Sequence, residues 1–174
     1  MVRMRGNVSE SAEVAGDGLP SSGHMLYDKP GHLIRRAQQI ANAIFSEECG
    51  RFDVTTVQYA VLLILDERPS ADLVTLAGRV GTDRSTMGAV AVRLVDRGLV
   101  TSAPGQTDRR TKVLSITEAG RVLVREMTAA VARVQERILA PLPEEQRPQF
   151  LAMLKLMVET NNELSRAPLG PVEK

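Results

Sequence analysis

Residues 82–117 read TDRSTMGAVAVRLVDRGLVTSAPGQTDRRTKVLSIT, and the first half of this stretch has helical spacing while the second has β character. Starting at Thr82, Val90, Val92, Leu94 and Val95 supply the apolar character that holds a helix on its domain, and Gly98 ends it. From Leu99 to Ile116 the residues turn β-forming on either side of the polar segment PGQTDRRT, which predicts a two-stranded hairpin. Immediately upstream, SADLVTLAGRVG at 70–81 predicts a short helix capped by Ser70, with Gly81 and its neighbours forming the turn into the next helix. Two short helices joined by a tight turn and followed at once by a hairpin form a winged helix-turn-helix.

Longer helices flank this unit. Leu33, Ile34, Ala37, Ile40, Ala41, Ile44 and Phe45 recur at three- and four-residue steps, predicting an amphipathic helix from Gly31 to about Gly50. In VTTVQYAVLLILDERP at 54–69, Thr55 and Gln58 form a capping box and Pro69 is the stop; this helix is apolar nearly all round, hence central. Thr117 caps a further helix running to Ile138, and PLPEEQRP breaks it. A last helix starts near Glu144 and is expected to bury Phe150, Leu151, Leu154, Met157 and Val158. The fold class is mainly α (α+β), with the hairpin alone supplying the sheet. Residues 1–24 are expected to form a flexible tail, 25–166 the folded domain, and 167–174 a flexible end.

Composition narrows the function classes. Lys and Arg number 22 against 21 Asp and Glu, a net charge of +1, so an affinity for polyanions has to come from local charge. One cysteine, Cys49, allows no internal disulfide, and no run is apolar enough to span a bilayer. The N-terminus has cations but no apolar segment after them, so a cytoplasmic location is expected. Phosphate-cradling glycine loops, His/Cys metal spacings and motif-framed nucleophiles are absent from the sequence. No enzyme activity, metal or cofactor is therefore expected.

Arg84, Ser85, Thr86 and Met87 occupy the first turn of the second short helix, where a major groove would meet them. Arginine pairs with guanine, the hydroxyls reach bases or phosphates, and a methionine offers an apolar contact to a thymine methyl. Asp83 is the one discordant charge there, and it suits the helix start. On the hairpin, Arg109, Arg110 and Lys112 stand beside Asp108, at a reach suited to a minor groove.

The runs DRSTMGAVAVRLVDRGLV and DRRTKVLSITEAG resemble the MarR family of regulators, whose pattern is a helix-turn-helix, a D-x-R wing and an LT-x-x-G helix start. SIT stands here where many members have LT. The resemblance covers about residues 30 to 165. It implies a homodimer made by the N- and C-terminal dimerisation helices, binding double-stranded DNA at a pseudo-palindromic operator as a repressor that a small-molecule effector releases. By motif, Asp108 and Arg110 match the D-x-R pair, with Arg110 in the minor groove, Asp108 orienting it, and Arg109 and Lys112 on phosphates.

The resemblance also implies an effector pocket between the dimerisation helices and the winged core. PGHLIRRAQQ and DVTTVQYAVLLIL look like the branch that controls aromatic-acid catabolism, with an aromatic acid or its CoA thioester as effector. Its candidate ligand residues are His32, Arg35, Arg36, Tyr27 and Tyr59; dimer contacts or surface salt bridges are the competing roles for the histidine and arginines. Two other readings stand beside the repressor: a winged-helix module that docks on an acidic protein, and a thiol-based redox sensor acting through Cys49.

Overall fold

The computed structural model of the chain describes residues 26–105, 110–165 and 167–168. The chain divides between Gln38 and Gln39 into two compact units. In the first, a turn in which Lys29 N–H donates to the Leu26 carbonyl (3.1 Å) leads into helix α1 (Pro30–Cys49). Pro30 is at the first helical position, where its missing N–H costs no hydrogen bond.

In the second unit the end of α1 buries Phe45 and Cys49. A 3-10 turn (Gly50–Phe52) follows, then Asp53 in the left-handed region at φ 53°, a conformation that a short polar side chain tolerates. Helix α2 (Thr56–Glu67) opens with the expected capping box: Gln58 N–H donates to Thr55 Oγ1 at 3.2 Å and Thr55 N–H to Gln58 Oε1 at 2.8 Å. Its Val61, Leu62 and Leu65 have no solvent exposure, which makes α2 the centre of the core.

Strand β1 (Ser70–Asp72) precedes α3 (Leu73–Val80), and Gly81, at φ 72°, turns the chain toward α4 (Arg84–Asp96). Strands β2 (Val100–Pro104) and β3 (Lys112–Ile116) form the hairpin, and β1 pairs antiparallel with the far edge of β3. The sheet order β1-β3-β2 corrects the expectation that the hairpin stands alone. Ser70, expected to cap α3, is a strand residue opposite Ser115; Asp72 caps instead, accepting from Val74 and Thr75 N–H at 2.8 and 2.9 Å. A carboxylate two residues nearer the helix satisfies two free N–H groups, which a serine at 70 cannot reach.

Helix α5 (Glu118–Leu139) has its predicted cap: Thr117 Oγ1 accepts from Gly120 N–H at 3.1 Å. It buries Val124, Met127, Ala130 and Val134. Its flank carries two ion-pair groups that reach other helices. Arg121 holds Asp66 of α2 at 3.0 Å, while Arg133 and Arg137 hold Glu48 of α1 at 2.8 Å each and Arg137 also reaches Glu47 at 2.7 Å. The two guanidinium groups, that of Arg133 first, hold the Glu48 carboxyl below the usual range.

Helix α6 (Arg147–Thr160), entered by a 3-10 turn at Glu144–Gln146, buries nothing within the chain. Phe150, Leu151, Leu154, Met157 and Val158 are all exposed, against the expectation that they lie inside. Their spacing is helical, as expected, but among the described residues no other part covers the face they form. Leu33 and Ile34 of α1 are likewise about half exposed, at 52% and 48%.

Candidate nucleic-acid interface

Helix α3, the Gly81 turn and α4 form the helix-turn-helix. Gly81 and Thr82 N–H both donate to the Ala77 carbonyl at 3.0 Å, which closes the end of α3 and aims the chain at α4. Helix α4 begins two residues later than Thr82. Asp83 is its cap, with Oδ1 accepting from Thr86 N–H at 2.9 Å and Oδ2 from the Thr86 hydroxyl at 2.7 Å. The Thr86 backbone and then its hydroxyl hold the Asp83 carboxyl below its ordinary value, so this acid is spent on the helix start.

The predicted contact residues divide once they are placed. Arg84, Ser85 and Thr86 are exposed on the first turn, although the Thr86 hydroxyl proton is given to Asp83. Met87 is fully buried and is a core residue, not a groove contact. The reason is phase: with Val90, Ala91 and Leu94 it forms the stripe that seats α4 on the domain. Val92 and Val95 are corrected the other way. They do not hold the helix, being 57% and 37% exposed.

At the wing, the ladder runs from Val100 opposite Ile116 to Pro104 opposite Lys112, and Gly105 N–H donates to the Thr111 carbonyl at 2.7 Å. Leu114, fully buried, fixes the root of the wing in the core. Arg110 and Lys112 are exposed at its outer end, whereas Asp108 and Arg109 lie outside the described residues.

Arg97, just past α4, ties the interface to the body of the unit. Its guanidinium donates to the Phe52 carbonyl at 3.0 Å and to the Asp53 carbonyl, at the corner between α1 and α2. A groove of about 460 Å³ lies beside this clamp, bordered by Arg93, Arg97, Asp96, Asp53, Gln58 and Ser46 among others. A second cleft of about 220 Å³ separates α4 from the wing, between Gly88, Val92 and Val95 on one side and Ser102, Lys112 and Leu114 on the other. The Arg97 clamp and both clefts went unread in the sequence because they join segments far apart in the chain.

Of the candidate effector residues, Tyr27 and His32 meet edge to face, with ring centroids 5.6 Å apart. Arg35 and Arg36 are exposed, so neither is the buried cation that would demand an anion. Tyr59, on α2, is partly buried against Phe45 (6.2 Å between centroids), and burial pushes its hydroxyl pKa up. Cys49 is wholly buried, and burial also raises its thiol pKa. A protonated, enclosed thiol is a poor oxidant sensor, which weighs against a redox role for Cys49. Among the described residues no three His, Cys, Asp or Glu side chains gather as a metal site, and no helix is long and apolar enough to cross a membrane.

Comparison with known proteins gives the same picture. A family model described as MarR family matches residues 54–112, from the start of α2 to the wing. The HTH-type transcriptional repressor NicR of Pseudomonas putida is 26% identical over 143 residues, covering 82% of this chain and 90% of that protein. The PcaV transcriptional regulator of Streptomyces coelicolor, solved with its natural ligand, is 34% identical, covers 77% of this chain and 94% of its own, and superposes with a TM-score of 0.71. BpsR of Bordetella bronchiseptica, whose DNA binding is regulated by 6-hydroxynicotinic acid, is 29% identical over 75% of this chain and 93% of its own, with a TM-score of 0.70.

Proposed function

Because the chain belongs to the MarR family, we propose that it is a ligand-responsive transcriptional repressor, a homodimer on a pseudo-palindromic operator that an aromatic acid or its CoA thioester releases. The observation that carries this reading is the pairing of an exposed α4 first turn with a wing rooted by Leu114 and ending in Arg110 and Lys112. The helix enters a major groove, with Arg84 and Ser85 at the bases or phosphates, and the wing reaches the neighbouring minor groove. Arg110 is the minor-groove cation, Asp108 orients it, and Arg109 and Lys112 meet phosphates. The relatives are regulators.

Dimerisation is supported by α6. A 14-residue helix whose apolar side chains all stay exposed within one chain needs a second surface to cover them. For the effector, the aromatic pair Tyr27 and His32, the cations Arg35 and Arg36, and Tyr59 are the residues offered to a ring and a carboxylate. The regulation of BpsR by a hydroxylated heteroaromatic acid supports that chemical class.

The test is operator binding by an Arg110→Ala variant. Its affinity falls by a factor on the order of 10–100 while the dimer persists, and wild-type affinity falls steeply with salt as phosphate contacts release counterions. Unchanged affinity in a gel-shift titration would remove the wing from the reading. A thermal-shift series of benzoate- and hydroxycinnamate-type acids and their thioesters tests the effector, because a ligand of the native dimer raises its melting temperature. If none of these compounds raises melting or releases the operator, the effector class is wrong.

A further inference from the structure

Helix α4 seats itself through Met87, Val90, Ala91 and Leu94, all buried. At about 100° per residue, the line diametrically opposite holds Ser85, Ala89, Val92 and Asp96, within an arc of roughly 60°. All four are exposed. This line faces outward from the domain, where a duplex would lie, and no cation stands on it. Arg84 and Arg93 sit on its two flanks, one on each side.

The centre of the line is apolar, and although Val92 borders the cleft toward the wing, no described residue covers it. Val92 is 57% exposed. Gly88, beside the line, has open space: a Cβ built there would meet nothing within 4 Å. A mid-helix glycine costs about 1 kcal/mol relative to alanine, and here the protein's own packing gives no return for it. What a bare backbone and short apolar side chains offer is close approach to a partner. In the major groove the apolar feature of the base edges is the thymine C5-methyl.

Resting on the repressor reading above, we propose that the chain reads its operator in the major groove by apolar contact of Ala89 and Val92 with thymine methyl groups. Gly88 lets the helix lie deep, Ser85 supplies the polar contact, and Arg84 and Arg93 grip the phosphates on either side. Sequence preference then resides in methyl groups at the helix and in the minor groove at the wing, while arginine-to-guanine pairing contributes little.

The test begins with an operator enriched from a pool of random duplexes by the full-length protein, then rebuilt with deoxyuridine at each thymine in turn, a change that removes only the C5-methyl. Affinity is expected to fall about fourfold per contacted methyl, and about 16-fold when both symmetric half-sites are changed. At the same positions 5-methylcytosine binds more tightly than cytosine by a similar factor. A Val92→Ser variant, exposed and so without consequence for the core, loses the deoxyuridine penalty at its position and keeps the wild-type salt dependence. An enriched operator that tolerates every deoxyuridine within about twofold, or a Val92→Ser variant that keeps the penalty, overturns the methyl readout and leaves the repressor reading standing. A pool in which no sequence is enriched overturns both.

Discussion

Replacing Gly120 by alanine sets two effects of opposite sign against each other. Gly120 lies in the first turn of α5, and alanine there gains roughly 1 kcal/mol of helix propensity. A Cβ at this position, however, would sit 2.3 Å from the Leu99 carbonyl oxygen and 2.8 Å from Ile116 Cγ1. The first contact is with backbone, which has no rotamer to yield. Relief requires the start of α5 to move off the end of α4, and that seam is hydrogen-bonded: Thr117 N–H donates to Leu99 O at 3.1 Å and the Thr117 hydroxyl to Gly98 O at 2.8 Å.

Overpacking costs about 1–3 kcal/mol and each strained hydrogen bond on the order of 1 kcal/mol, so the clash outweighs propensity and leaves a net loss of roughly 2–3 kcal/mol. With a urea slope of about 2 kcal/mol per molar, the unfolding midpoint falls by roughly 1–1.5 M. The measurement is urea unfolding followed by circular dichroism at one fixed protein concentration, since a dimer's stability depends on concentration. A midpoint that stays or rises would mean that the close approach at Gly120 is not a constraint, and the tight α4–α5 seam would have to be given up.

Three further outcomes follow from the geometry. The depressed carboxyls of Glu48, Asp72 and Asp83 contribute stability that is full above their ordinary range, near pH 4, and lost as pH falls through their lower folded values; a Glu48→Gln variant shows a smaller loss between pH 7 and pH 3 than wild type, and an equal loss would discount the Arg133–Glu48–Arg137 cluster. Cys49, buried with a raised thiol pKa, reacts with a thiol reagent only as fast as the protein opens, so labelling in native buffer is slow and becomes rapid in denaturant; prompt native labelling would contradict its burial. Glutamate at both Leu151 and Leu154 of α6 dissociates the dimer in sedimentation at micromolar concentration while retaining helix content, and an intact dimer would place the subunit contact elsewhere.

Local chemistry was legible in the sequence wherever one short segment held both partners. The Thr55–Gln58 box, the Gly81 turn and the Thr117 cap each need only three or four neighbouring residues. Met87 was legible too, although read otherwise: it stands three residues before Val90 and seven before Leu94, a spacing that already assigns it to the core side. Strand β1 was not, because Ser70, Ala71 and Asp72 carry no pattern and become a strand only against β3, more than forty residues on. For α6, periodicity identified an apolar face correctly but could not say what covers it, and none of the described residues of the same chain does. Among the candidate contact residues, Arg84, Ser85, Arg110 and Lys112 are exposed as expected. Val92 was read as a core residue and Ala89 was passed over, because small apolar side chains in a helix read as core until the exposed side of that helix is known.

The sheet order has a mechanical meaning for the wing. Because β3 is hydrogen-bonded along both edges, the hairpin has no independent swing about its root. Tilting it shears the ladder to β1, whose last residue, Asp72, is the cap of α3. The reach of the wing and the pitch of the two short helices are therefore one setting, like the fixed jaws of a caliper.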